Sequence, residues 1–172
     1  VYAGCVATMM GMTMYYYRYP TQGTGSHGYN SAYGYLSVDF SQSQYHYEQM
    51  PSKLWYGNYD VAKLLYDCGV SIDMMYSPNG SGAYMTTTLD AMKSYFGFNP
   101  AMTLEYKDNY TETAWKDLLR QQIDNGYPLP YARYDIGSGH AFNCDGYDGD
   151  MFHFNWGWSG SYNGYYYIDN LN

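Results

Sequence analysis

Apolar positions recur at helical spacing through the first two thirds of the chain and at strand-like spacing in the last third. Over residues 5–17, Cys-Val-Ala-Thr-Met-Met-Gly-Met-Thr-Met-Tyr-Tyr-Tyr, the positions Val6, Met9 or Met10, Thr13 and Tyr17 return every three to four residues, and Pro20 halts the run. That run is apolar nearly all round, which predicts a buried central helix rather than a surface one. Gly4 lets the backbone turn tightly into it and sets Cys5 at its N-terminus. A second helix is expected over Tyr59–Cys68, with Val61, Leu64, Leu65 and Cys68 on one face and Gly69 as its stop. Met85–Phe96 aligns Met85, Leu89, Met92 and Phe96 ahead of Gly97. In Thr111–Asn125, Thr111 caps a helix whose inner face is Trp115, Leu118, Leu119, Gln122 and Ile123, and Gly126 ends it. Val70–Met75 reads as a short strand. Residues 21–57, rich in Gly, Ser, Gln and Tyr, read as mostly loop with room for a short strand, a length that in a compact domain marks a functional or mobile segment.

From Pro128 the period shortens. Leu129–Tyr134, Ala141–Tyr147, Met151–Trp156 and Gly164–Ile168 are four strand-like segments joined by Gly- and Asp-containing turns. The stretch 139–158 has a hairpin signal at Asp148-Gly149-Asp150, which places His140 on one strand and Asn155 and Trp156 at the end of the next. Helices first and strands afterwards predict an α+β fold, a helical lobe against an antiparallel sheet. With 172 residues, no internal repeat and no linker, the chain reads as a single domain, with lobes at roughly 1–126 and 127–172.

Charge narrows the partners. The net charge is −8 and charged residues make only 14% of the chain, whereas phosphate partners need clustered Lys and Arg, so no nucleic acid or anionic membrane is expected. No apolar run reaches the ~20 residues that span a bilayer. The chain starts at Val1 rather than Met and shows no leader, which suggests a domain trimmed at both ends and lacking a propeptide. The unusual number is 26 Tyr, which suit half-wet clefts and leave a Tyr-rich peptide or carbohydrate binder open.

Three cysteines without a C-x-x-C are too few for a disulfide scaffold, and the four histidines show no metal-ligand spacing with them, so neither metal nor cofactor is expected. Cys68, on an inner helix face, and Cys144, inside a strand, read as inert buried thiols. Cys5 is different. A helix N-terminus stabilises a thiolate through its orphan N–H groups and dipole, and a neighbouring imidazolium lowers the thiol further. Taken alone, Cys5 suits a nucleophile and a small buried hydrophobe equally.

At this point the sequence resembles a known family. Gly4-Cys5-Val6-Ala7-Thr8 with Met14, Tyr16 and Tyr19-Pro20, then Gly139-His140-Ala141-Phe142 with Asp145-Gly146, then Phe152-His153-Phe154-Asn155-Trp156-Gly157-Trp158, resemble the active-site segments of streptopain-like cysteine peptidases, peptidase family C10. Gly69–Met74, Ser77–Ala83 and Phe96-Gly97-Phe98-Asn99 follow the same pattern in the same order. The resemblance implies a papain-like fold, Cys5 as nucleophile, His140 as the base that also protonates the leaving amine, Asn155 as its orienting group and Trp156 packed over that contact. His153 is read as structural. The Cys5 backbone N–H would be one oxyanion donor; a second, taken in that fold from a side chain shortly before the cysteine, has no counterpart in the residues ahead of Cys5. Met12 stands where the family usually has Gln, a change of packing rather than of chemistry.

By the same resemblance the substrates are proteins or peptides with an apolar side chain next to the scissile residue. Ser81, Gly82, Ala83 and Gly139 are the expected substrate-binding residues, with Ser77–Ala83 and Tyr131–Ile136 around the pocket. A propeptide or propeptide-like inhibitor is the expected partner, and a secreted bacterial endopeptidase the expected role. The competing reading is a non-catalytic, Tyr-rich relative on the same scaffold, which has no reason to retain Cys5, His140 and Asn155 together.

Overall fold

A computed structural model describes residues 2–135 and 138–170 and divides the chain into two compact units, 1–104 and 105–172. The first is built on helix α1 (Cys5–Tyr17), whose Val6, Ala7, Met9, Met10, Gly11, Thr13 and Met14 are all buried, as an all-round apolar run requires. Helix α2 (Tyr59–Ser71) lies so close to α1 that a Cβ on Gly11 would stand 2.8 Å from Leu65 Cδ2. Asn58 caps α2 by accepting the Val61 N–H at 2.9 Å.

Two expectations fail here, for one reason. Gly69 does not stop α2; it lies within it, and any side chain there would collide with the Tyr76 hydroxyl. The residue is a glycine for close approach rather than for a helix end. Nor is Val70–Met75 a strand: Val70 and Ser71 complete the helix, Asp73 turns with φ 50°, and Met75 alone makes an isolated bridge to Gly82. Val70, Ile72 and Met74 have the every-second-residue spacing of a strand, but Ser71 between them is buried too, as a helix end packed into the core allows.

Residues 21–57 hold more structure than their composition suggests. They contain the hairpin β1 (Ser26–Ser31) and β2 (Gly34–Asp39), which contacts α2. The irregular remainder is pinned by buried Phe40, Tyr45, Tyr47 and Met50; Tyr45 donates to Asp67 and Tyr47 to the Pro20 carbonyl, each at 2.9 Å. Burying aromatic rings while pairing their hydroxyls anchors a loop that has few aliphatic residues of its own. Helix α3 (Met85–Ser94) follows, with Thr88, Ala91 and Met92 buried and Phe96 buried just beyond its end.

The second unit sets helix α4 (Glu112–Asp124) on the four-stranded antiparallel sheet β3 (Leu129–Asp135), β4 (Ser138–Asp148), β5 (Met151–Asn155) and β6 (Gly164–Tyr167), paired in that order. Thr111 caps α4 as expected, accepting the Ala114 N–H at 3.2 Å. Trp115 and Leu119 meet Phe142, Cys144, Phe152, Phe154 and Ile168, so α4, grouped by its pattern with the helices before it, shares its core with the sheet. Each such aromatic removed from water contributes roughly 1.5–3 kcal/mol. Gly149-Asp150 forms the two-residue turn between β4 and β5, with Gly149 at φ 58°, and Arg120 of α4 donates to the Gly149 carbonyl at 2.9 Å and to Asp150 at 2.8 Å.

Candidate active site

In the first unit the candidate nucleophile stands at the start of α1. Gly4 takes the capping position with φ 92° and ψ 143°, and Cys5 is the first helical residue, half-buried and outside any disulfide. The Gly4 carbonyl accepts both the Thr8 N–H and the Thr8 hydroxyl, each at 3.0 Å. The dipole and orphan N–H groups at this end favour an anionic sulfur. The other two cysteines are fully enclosed: burial pushes the Cys68 thiol well up and the Cys144 thiol up to about 12, which keeps both protonated and unreactive.

The loop expected to flank the substrate stands beside the same segment. Met75 and Gly82 bridge it at its base, Ser77 N–H donates to Ser81 Oγ at 3.4 Å, and the Ser81 hydroxyl donates to the Tyr2 carbonyl at 3.0 Å. Ser81 and Gly82 are therefore brought to the strand of chain that leads into Cys5, with Ala83 buried behind them. Tyr131, expected near the pocket, instead packs in the core of the second unit, where its hydroxyl accepts from Trp115 Nε1 at 3.2 Å. Ile136, the end of that expected stretch, lies outside the described residues.

In the second unit His140 lies on β4 opposite Arg133, next to Gly139, whose Cα faces the Tyr134 ring so closely that a Cβ would stand 2.8 Å from it. The His140 Nε2 lies 2.9 Å from the Trp156 carbonyl oxygen. A carbonyl only accepts, so Nε2 carries the proton and Nδ1 is the nitrogen that takes and gives one. The imidazole is stacked on Trp158 at 4.7 Å between centroids, with Phe142 at 5.7 Å and Trp156 at 6.1 Å.

Asn155, expected to orient the imidazole, faces Asn143 across the strands, and its Oδ1 accepts the Gly157 N–H at 3.1 Å. That bond, with Gly157 at φ 75°, shapes the turn that presents the Trp156 carbonyl to the imidazole. Trp156 stacks with the imidazole while its indole N–H donates to the Tyr162 carbonyl at 2.9 Å, and Trp158, to which the motif assigns no role, is the ring closest to His140. The repeated Trp of the Asn-Trp-Gly-Trp run was the available signal. His153 is occupied elsewhere, with Nδ1 2.5 Å from an Asp145 carboxylate oxygen and its ring edge-on to Tyr165.

The chain is similar to known proteins. The model of the peptidase C10 family matches residues 1–166. The thiol protease/hemagglutinin PrtT of Porphyromonas gingivalis is 32% identical over 181 residues, covering 99% of this chain and 21% of that protein. Streptopain of Streptococcus pyogenes is 30% identical over 183 residues, covering 98% of this chain and 46% of its own length. This chain thus spans less than half the length of these two relatives. Active wild-type interpain A, a cysteine protease of Prevotella intermedia, superposes with a TM-score of 0.88 at 39% identity over 99% of this chain and 76% of that one. A fragment of prointerpain A gives a TM-score of 0.88 at 37% identity, covering 99% of this chain and 57% of the fragment. The fold is accordingly the papain-like α+β fold that the motifs implied.

Proposed function

This chain belongs to the peptidase C10 family, and from that premise we propose that it is a cysteine endopeptidase with Cys5 as nucleophile and His140 as base. The observation that carries the reading is the hydrogen bond from His140 Nε2–H to the Trp156 carbonyl, because it dedicates Nδ1 to proton transfer. The Cys5 thiolate attacks the scissile carbonyl carbon while the π pair moves to oxygen. The Cys5 backbone N–H stabilises that oxyanion, as a donor aimed at developing charge does. His140, whose Nδ1 took the Cys5 thiol proton, then delivers that proton to the leaving amine as the oxyanion re-forms the carbonyl and the C–N bond breaks, and an acyl thioester remains. Water, losing a proton to His140, attacks the thioester; the acid leaves and the thiolate is restored.

Trp158 and Phe142, stacked with the imidazole, shelter it from water and limit its reorientation. Asn155 serves by building the turn rather than by touching the ring, and Trp156 by its carbonyl. The backbone around Ser81, Gly82 and Ala83, together with Gly139, is assigned to binding an extended peptide with an apolar residue next to the scissile one. A propeptide is the proposed inhibitory partner, in keeping with the similarity to a prointerpain fragment. We place the protein outside the bacterial cell. Among the described residues no helix is long and apolar enough to cross a membrane.

A peptidyl epoxide inhibitor tests the core of this reading. Mass mapping should find the adduct on Cys5, and His140→Ala should abolish it. Labelling of Cys68 or Cys144 to the same extent, or none on Cys5, overturns the assignment.

A further inference from the structure

We propose that Met74, buttressed by Tyr29, is a positioning residue that fixes the Gly4–Cys5 peptide and so aims the Cys5 backbone N–H at the developing oxyanion; the inference rests on the cysteine-peptidase reading of Cys5. In a planar trans peptide the C=O and N–H point in opposite directions. Thr8 holds the Gly4 carbonyl twice, by its N–H and its hydroxyl at 3.0 Å each, so that carbonyl points along the helix and the Cys5 N–H points outward from its start.

Pinning the carbonyl leaves the other side of the peptide to be fixed. Gly4 has φ 92° and ψ 143°, a conformation in which only glycine is comfortable and glycine is otherwise free to swing. Met74 removes that freedom. Its Sδ and Cε both lie 2.7 Å from where a Gly4 Cβ would stand, with the Ser81 carbonyl oxygen 3.1 Å away on another side. The thioether is wholly enclosed, at 0% exposure. Met74 is in turn immobilised through its backbone: its N–H donates to the Gly69 carbonyl at 3.0 Å, and its carbonyl accepts the Tyr29 hydroxyl at 2.7 Å. Burial raises the Tyr29 phenol above its ordinary value, so the hydroxyl stays a donor into alkaline pH. A hydroxyl on the β1 strand thereby governs a peptide plane beside the nucleophile.

Two reactions of the same sulfur separate aim from reactivity. Acylation by a peptide adds the thiolate to a carbonyl carbon and puts charge on the oxygen, so it needs the N–H. Alkylation by iodoacetamide forms a C–S bond at a saturated carbon as iodide leaves, and no oxyanion develops. The full chain, its Tyr29→Phe variant and its Met74→Leu variant are compared with N-acetyl-phenylalanylglycine 4-nitroanilide and with iodoacetamide across pH. Both variants should lose about tenfold in kcat with KM held within about twofold, since a misaimed donor costs less than a deleted one. Their alkylation rates and the pH profile of alkylation should match the parent. Parallel loss of both reactions, or unchanged kcat in Tyr29→Phe, overturns the inference; Tyr29→Phe removes one oxygen atom, so this arm stands even where Met74→Leu fails to fold. A parent chain that alkylates at Cys5 but never acylates overturns the peptidase reading and this inference with it.

Discussion

His140 and Trp156 are joined through the ring Nε2–H of the first and the backbone carbonyl of the second, at 2.9 Å. Because the acceptor belongs to the main chain, no side-chain substitution deletes it outright. What substitutions do change is the turn that carries it. Asn155 and Gly157 hold that turn closed, and Trp158 leaves it to lie on the imidazole at 4.7 Å.

Asn155 should therefore tolerate loss of its amide nitrogen better than loss of its oxygen. Asn155→Ala removes the bond to the Gly157 N–H, a contribution of about 1 kcal/mol, and should lower kcat/KM about fivefold. Asn155→Asp keeps the acceptor and should retain most of the activity, whereas His140→Ala should lose at least about a hundredfold. Steady-state assays of the three variants decide it. If Asn155 worked through its NH2 group, the Asp and Ala variants would fail alike.

Trp158 should matter for rate and little for stability. Its side chain is 50% exposed, so truncation opens no core cavity, yet its ring stacks with His140. A stacked pair is worth about 0.5–1.5 kcal/mol beyond area, so Trp158→Ala should cut kcat/KM up to about tenfold with Tm nearly unchanged. Trp158→Phe should recover most of the loss. Thermal unfolding and peptide hydrolysis measured on the same samples separate the two effects, and a large fall in Tm would show that the ring is structural.

The helices and the sheet were legible because their periods are strong and their punctuation local. Cys5–Tyr17 has the predicted bounds, Thr111 is the cap, and the Asp148–Met151 turn is where the hairpin signal placed it. What escaped depends on partners distant in sequence. The β1–β2 hairpin is mostly Gly, Ser, Tyr and other polar residues, with Leu36 and Val38 its aliphatic ones, and it is held by α2, so its own composition marks it only weakly. The bond from the Gly157 N–H to Asn155 and the one from His140 to the Trp156 carbonyl are not legible in the motif, which gives residue types while backbone groups have none. Trp158 was visible in the motif, but only the turn geometry shows which of two tryptophans lies on the histidine.

Gly69 gives a test of close approach against helix propensity. In an exposed helix Gly→Ala stabilises by roughly 0.5–1 kcal/mol. Here a methyl group meets the Tyr76 hydroxyl inside α2, so Gly69→Ala should destabilise by about 1–3 kcal/mol, the cost of overpacking. Combining it with Tyr76→Phe, which withdraws the hydroxyl, should restore part of the loss. Urea unfolding of the single and double variants measures the coupling, and a stabilised Gly69→Ala would reject the crowding argument.

Alkali should unfold the protein earlier than its core size suggests, and the sign follows from four buried groups. Burial raises the Cys68 thiol and the Tyr45 and Tyr47 phenols, the Asp67 carboxylate adds to the rise at Tyr45, and Cys144 is pushed up to about 12. In the unfolded chain thiols release protons near ~8.5 and phenols near ~10. Above those values the folded chain holds protons that the unfolded chain has lost, so the free energy of unfolding falls with pH. The stabilisation is complete below about pH 8.5 and declines as pH rises, by about 1.4 kcal/mol per unit for each group. The two thiols alone should remove roughly 3 kcal/mol between pH 8.5 and 10. Urea midpoints taken at pH 7, 8.5 and 10 should drop most steeply over the last interval. Cys68→Ala starts from a lower midpoint, since it leaves a small cavity, but should show a shallower fall because one of the releasing groups is gone. Parallel declines in parent and variant would mean that Cys68 ionises as readily in the folded chain as in the unfolded one.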